Sequence, residues 1–295
     1  MATFRQYLPA WSKRLVRTVG YWSLDTFDRL VGRREAMVPP HMTKLVVGSG
    51  DFKQTGLEFL GHLIRYAGLK PEHRVLEIGS GYGRIAAGLT NYIVSPGSYD
   101  GIEIIKKAVD WCTQEITTRY QYFRFCHADV VNPYSNREGR DSATDYQIPF
   151  PENSFDVVFL TSVFSHMPPR EIDRYLGEIQ RVLSENGRCF STYYLLNDYS
   201  LEQIRKGRAS QPFYHSFDGF LSTSRTTPEN TIACPEATIR EFYAQNGLAI
   251  HEPILYGAWS GRERFLTYQD VIVATKGAIG TYASETSSSL ATIQN

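Results

Sequence analysis

The chain has 295 residues, 42% apolar and 13% aromatic, which is enough for one sizeable core and at most two domains. Basic and acidic residues both number 31, so no overall positive field advertises a nucleic-acid partner. Cys112, Cys126, Cys189 and Cys234 form no CxxC pair, and no apolar run approaches the roughly 20 residues of a membrane span. A zinc knuckle and a transmembrane helix are thereby disfavoured, and a soluble, cytoplasmic chain with reduced cysteines is the expectation.

Residues 1–52 form an outlying helical segment. Phe4, Leu8, Trp11, Leu15, Val19 and Trp22 recur at steps of three and four, with Arg5, Lys13, Arg14 and Arg17 off that face. Gly20 is expected to break the segment and Ser23 to cap a second piece. Three roles suit such a helix: packing on the core through its tryptophans, a lid, or peripheral membrane contact through residues 1–31.

From residue 53 the pattern alternates in the way that builds a parallel sheet. A helix over 53–69, with Leu57, Leu60, Ile64 and Ala67 on one face, precedes short apolar strands at 74–78, 99–104, 122–126, 156–161 and 188–194. Helices are predicted at 84–92, 105–119 and 169–183, the last with Ile172, Tyr175, Leu176, Ile179 and Val182 inward and stopped by Asn186-Gly187. A helix over 235–244 and strands over 250–256 and 270–275 follow, giving a doubly wound, mostly parallel seven-stranded α/β fold over 53–276. Residues 132–154 read as a long polar surface loop. The insertion 195–233, with Tyr199, Phe213, Tyr214, Phe217 and Phe220, reads as an ordered cap, and 277–295 as a disordered tail.

The chemistry centres on Val75-Leu76-Glu77-Ile78-Gly79-Ser80-Gly81-Tyr82-Gly83-Arg84. A buried strand ends in an acidic residue and a glycine-rich turn that opens a helix. Such a turn lets a ligand approach the backbone and presents free N–H groups to an anion. A dinucleotide fingerprint needs glycine at 84, where this chain has Arg84. Glu103 ends the next strand, where a carboxylate can accept from both ribose hydroxyls. Asp129 follows the third strand in Cys126-His127-Ala128-Asp129-Val130.

This E-x-G-x-G-x-G turn resembles motif I of the class I S-adenosylmethionine-dependent methyltransferases, and the likeness covers about 72–195 and, more loosely, the last two strands. The resemblance implies a Rossmann-like methyltransferase fold with S-adenosyl-L-methionine as cofactor. It implies cofactor contacts from Glu77, Gly79, Ser80, Gly81 and Gly83, from Glu103 at the ribose, from Asp129 at the adenine amino group, and from Ile104, Val130 and, after the fourth strand, Thr161. The run 155–161 looks like motif IV. Its continuation, Thr161-Ser162-Val163-Phe164, lacks the Asn/Asp-Pro-Pro-Tyr/Phe of amino-methylating enzymes and the carboxylates of magnesium-dependent ones. A metal-independent transfer to a small-molecule acceptor is expected, in the manner of bacterial O-methyltransferases of natural-product and glycolipid pathways. Transfer to carbon or nitrogen and a non-catalytic binding subunit are the alternatives. His166 is the candidate base, with a structural histidine as the competing reading, and His215 is a second candidate. The N-terminal segment, the insertion and the loop containing Trp259 are expected to surround the acceptor.

Overall fold

In a computed structural model of the chain, residues 10–33, 35–43, 50–133 and 135–277 are described. They belong to two compact units, Met1–Arg65 with Leu69–Arg140, and Tyr66–Gly68 with Asp141–Asn295.

The first unit begins with α1 (Ala10–Leu30), one continuous helix. Gly20 does not break it; the cost of an internal glycine, about 1 kcal/mol, is small beside the bonds of a 21-residue helix. Ser23 is an interior residue rather than a cap, its Oγ donating to the Val19 carbonyl at 2.9 Å. The Asp25 carboxylate accepts the His41 and Met42 N–H groups, which ties the helix to the turn His41–Thr43. Val19 and Trp22 are 55% and 63% exposed, so they do not pack the helix onto a core as one reading expected. Phe4 and Leu8, the side chains of Trp11 and Leu15, and the tail from 278 onward lie outside the described residues.

The helix α2 (Phe52–Ala67) starts where Asp51 Oδ1 accepts the Gln54 N–H at 2.7 Å. Its inward stripe runs through the buried Gly56, Leu63 and Ala67 and the half-buried Leu60; Leu57 and Ile64, expected inside, are exposed. Gly56 decides that rotation, because a Cβ there would lie 2.4 Å from the Arg84 carbonyl oxygen. Three parallel strands follow, β1 (Arg74–Ile78), β2 (Ser98–Glu103) and β3 (Phe123–His127), paired β1 to β2 and β2 to β3. Between them lie α3 (Arg84–Leu89) and α4 (Lys106–Cys112), the latter passing into a π-helical turn over Thr113–Thr117 where one long helix was expected.

The second unit carries β4 (Phe155–Leu160), α5 (Pro169–Val182) and β5 (Leu183–Tyr193). All five residues expected on the inner face of α5 are buried. The helix ends at Val182, before the Asn186-Gly187 pair. Asn186 instead takes φ 62° inside β5, where pairing with β4 shifts between Leu183 and Arg188. The loop before β4 is irregular, yet its second half is held down. The buried Glu178 accepts the Ile148 N–H, and Arg181 donates to the Ile148 and Phe150 carbonyls.

The insertion folds as β6 (Leu195–Leu196), α6 (Asp198–Arg205), β7 (His215–Phe217), β8 (Phe220–Ser222) and β9 (Ile232–Pro235). Its strands form a small sheet in the order β6-β9-β8-β7. Tyr194, Phe213 and Trp259 fill the core beneath it, their rings 5.2 to 5.5 Å apart. Trp259 is fully buried there, so it does not line an acceptor site as expected. Then come α7 (Glu236–Gln245), β10 (Leu248–Ile250) and β11 (Asp270–Lys276). The strand expected over 250–256 stops early, since Pro253 has no N–H to give a ladder, and only Leu255 bridges back to Val271. The seven main strands form one mostly parallel sheet in the order β10-β11-β5-β4-β1-β2-β3, with β11 antiparallel to both its neighbours.

Candidate active site

The first unit builds its site from the turn after β1. Gly79, Gly81 and Gly83 take φ values of 80°, 52° and 70°, which a side chain would strain. The Gly79 and Ser80 N–H groups donate to the Ile102 carbonyl at 2.8 and 3.0 Å, folding the turn against the end of β2. Glu103 completes the clasp: Oε2 accepts from the Gly81 N–H at 2.7 Å and Oε1 from the Ile105 N–H at 2.8 Å. Burial pushes the Glu103 carboxyl upward, and the N–H groups of Ile105, Gly81 and Ile104 pull it back. Ser80 Oγ, next to Gly81 in the chain, is buried and makes no hydrogen bond among the described residues.

Glu77 faces elsewhere. Its carboxylate is 2% exposed and accepts from the Tyr99 hydroxyl, and burial pushes its pKa up to about 8. Tyr82 packs edge-on against Trp111. Beyond β3, the Ala128 N–H donates to the Glu103 carbonyl, and His127 Nε2 lies 3.2 Å from the Ile104 carbonyl oxygen. Asp129 follows, one oxygen 3.3 Å from Nε of the exposed Arg140, and Val130 is buried with its carbonyl taken by Asn136 Nδ2. The structure thus joins Gly79–Gly83 to Glu103 directly. It places Ile104, Asp129 and Val130 after the carboxyl ends of the neighbouring strands, and turns Glu77 into the sheet interior.

In the second unit Thr161 follows β4. Ser162, at φ 58°, donates its N–H to Thr192 Oγ1 and its hydroxyl to Gln269 Oε1, each at 2.8 Å. His166 sits on the single turn Phe164–His166, with Nδ1 2.8 Å from the Glu229 carbonyl oxygen, and burial lowers its pKa. His215 is half-buried in β7. Asp270 escaped the sequence reading. Only 1% exposed, it accepts from the Gly257 and Leu195 N–H groups and from Trp259 Nε1 at 2.7 to 2.8 Å. Burial pushes it up to about 6. Its one local signal is an acid opening an otherwise apolar strand.

Residues 76–191 match the family described as Methyltransferase domain. By that match residues 76–191 form a methyltransferase domain, and S-adenosylmethionine is the cofactor it implies. The chain is 25% identical over 211 residues to the uncharacterized methyltransferase YcgJ of Bacillus subtilis, covering 70% of this chain and 71% of that one. It is 27% identical over 156 residues to the tRNA N(3)-cytidine methyltransferase METTL2 of Danio rerio, covering 52% of this chain and 41% of that protein. The chain thus spans under half the length of that relative. The crystal structure of the PH0226 protein from Pyrococcus horikoshii shares the fold, with a TM-score of 0.53 at 13% identity over 78% of this chain and 93% of that one.

The residues present fit the cofactor. A carboxylate has about four lone-pair sites, and the backbone groups aimed at Glu103 leave acceptor capacity for a ribose hydroxyl. The unmatched Ser80 hydroxyl lies in the same turn, where a polar ligand atom would satisfy it.

Proposed function

We propose that the chain methylates a hydroxyl of a small-molecule metabolite, such as a polyketide, peptide or sugar-containing natural product, without a metal ion. The cofactor part of the reading is carried by Glu103, an acid clasped at the end of β2 by the N–H groups of Gly81 and Ile105. On this reading Gly79, Ser80, Gly81 and Gly83 cradle the amino-acid end of the cofactor, with Glu77 fixing the strand beneath them. Glu103 and Ile104 take the ribose, Asp129 and Val130 the adenine, and Thr161 flanks the reacting end. When bound, the cofactor supplies an electrophilic methyl group on a sulfonium. The chain's part is to hold the acceptor oxygen in line with it, an effect worth up to roughly 7–11 kcal/mol.

His166 is the proposed base. Its ring is held by the backbone of Glu229 and Asn230, and burial lowers its pKa, which favours the neutral imidazole that a base needs. On this reading the neutral ring would take the acceptor's hydroxyl proton. Residues Thr161 and Ser162 after β4 offer no carboxylate to a magnesium ion, which supports the metal-independent route.

Calorimetric titration tests the cofactor assignment. Glu103→Ala should weaken S-adenosylmethionine binding by about 1.5–3 kcal/mol, and unchanged affinity would sink it. His166→Gln should lower kcat by about 10²–10⁴-fold with little change in KM, whereas a purely structural histidine would instead lower stability. Labelled donor with a panel of hydroxylated acceptors, amines and tRNA decides the acceptor atom. The likeness to a tRNA methyltransferase favours nitrogen as the second reading.

A further inference from the structure

The second unit contains a cavity of about 370 Å³, a size suited to a small organic ligand. Tyr66, Leu255, Tyr256, Arg262, Arg264 and Phe265 are among its walls. The two arginines sit near the tip of the loop between Tyr256 and Gln269, whose base is closed by its own backbone. Ala258 N–H donates to Thr267 O at 3.1 Å and Trp259 N–H to Tyr268 O at 3.0 Å, while Asp270 accepts from Gly257 and from the Trp259 indole. Since Asp270 pairs with Tyr193, the last residue of β5, this loop leaves the sheet at the edge where β5 ends.

The Arg262 guanidinium lies 4.0 Å from the ring centroid of Tyr199 and 4.3 Å from that of Tyr256. Sandwiched between two phenols, its plane is fixed before any ligand arrives. Its Nε is buried and has no hydrogen-bond partner among the described residues. Neither Arg262 nor Arg264 forms an ion pair among the described residues. The nearby acids are committed elsewhere. Glu236 accepts from Tyr256, Arg240 and Asn197, Asp270 is enclosed by its three donors, and Glu263 is exposed outside the cavity wall. Two guanidinium groups that make no ion pair among the described residues, the enclosed Asp270 acting on Arg262 only through its field, are complementary to an oxyanion on an apolar body.

We propose that this cavity binds a carboxylate or phosphate monoester attached to an apolar group, with Arg262 as the pre-oriented fork and Arg264 as the second cation. If the methyl-transfer reading holds, that ligand is the acceptor, and only this last step rests on that reading.

The test is titration calorimetry on the full chain without cofactor, using phenylbutyrate, phenyl phosphate and the neutral phenylbutanol. At least one acid should bind about tenfold or more tightly than the alcohol, and the preferred acid identifies the oxyanion. Arg262→Gln and Arg264→Gln should each reduce that preference, and the double variant should abolish it. Equal affinity for acids and alcohol in the native chain, or an undiminished preference in a folded double variant, overturns the inference. Titration with S-adenosylhomocysteine in parallel checks folding and separates the two ideas. Cofactor binding without acid preference refutes the pocket alone, and acid preference without cofactor binding refutes the cofactor assignment alone.

Discussion

Glu103 and Asp270 are both acids at strand ends, both buried, and both satisfied by the chain's own N–H groups, yet on the proposed function they serve different purposes. Asp270 has three donors within 2.8 Å, one of them an indole, and is sealed against the aromatic core of Tyr194, Phe213 and Trp259. Glu103 is clasped by backbone N–H groups alone, those of Gly81 and Ile105 with Ile104 adding to them, within a glycine turn that also holds a hydroxyl unpartnered among the described residues. Both carboxyls are pushed upward by burial. Burial and a perturbed pKa therefore do not separate a binding acid from a structural one. Spare hydrogen-bonding capacity around it does.

The most severe way to break the comparison is truncation. Asp270→Ala strands two backbone N–H groups and the Trp259 indole at roughly 1–3 kcal/mol each, so urea unfolding should show a loss of about 3 kcal/mol or more. Glu103→Ala should cost less stability than this while losing cofactor affinity, and the reverse pattern would exchange the two roles.

A finer distinction comes from pH. The Asp270 carboxyl is raised from 3.8 to about 6 in the folded chain. Across that window the native state holds the extra proton, so the stability it contributes is fully present below about 3.8 and is lost as pH rises through about 6. The upper bound is about 3 kcal/mol, since each pH unit is worth about 1.4. Asp270→Asn removes this slope, so the difference in stability between wild type and variant should change by that amount across the window and then level off. Glu77, raised to about 8, keeps its own downward slope in both proteins and cancels from the difference.

Much of the first unit was legible because its signals are local. The strand predicted over 74–78 is β1 residue for residue, and the glycines after it take the positive φ values that a tight strand-to-helix turn requires. Glu103 was identifiable as the last residue of an apolar run. The inner face of α5 followed from its period, but that of α2 was misjudged by one position, because Gly56 must meet the backbone of Arg84. Periodicity names a face, and a close backbone contact can rotate it.

The second unit was less legible because its decisive contacts join distant residues. Trp259 looked like a ligand-facing aromatic until Asp270, 11 positions on, was seen to accept its indole. The turn at Asn186-Gly187 marked an irregularity within β5 instead of the end of α5. By itself the sequence determined the strand order along the chain, the glycine turn and the acids that end strands, since these depend on neighbours within a few residues. Tertiary structure alone decided which acid is sealed, which hydroxyl is left unmatched and which arginines make no ion pair among the described residues. Each of those outcomes is set by which donors, acceptors and charges folding brings together from far apart in the chain.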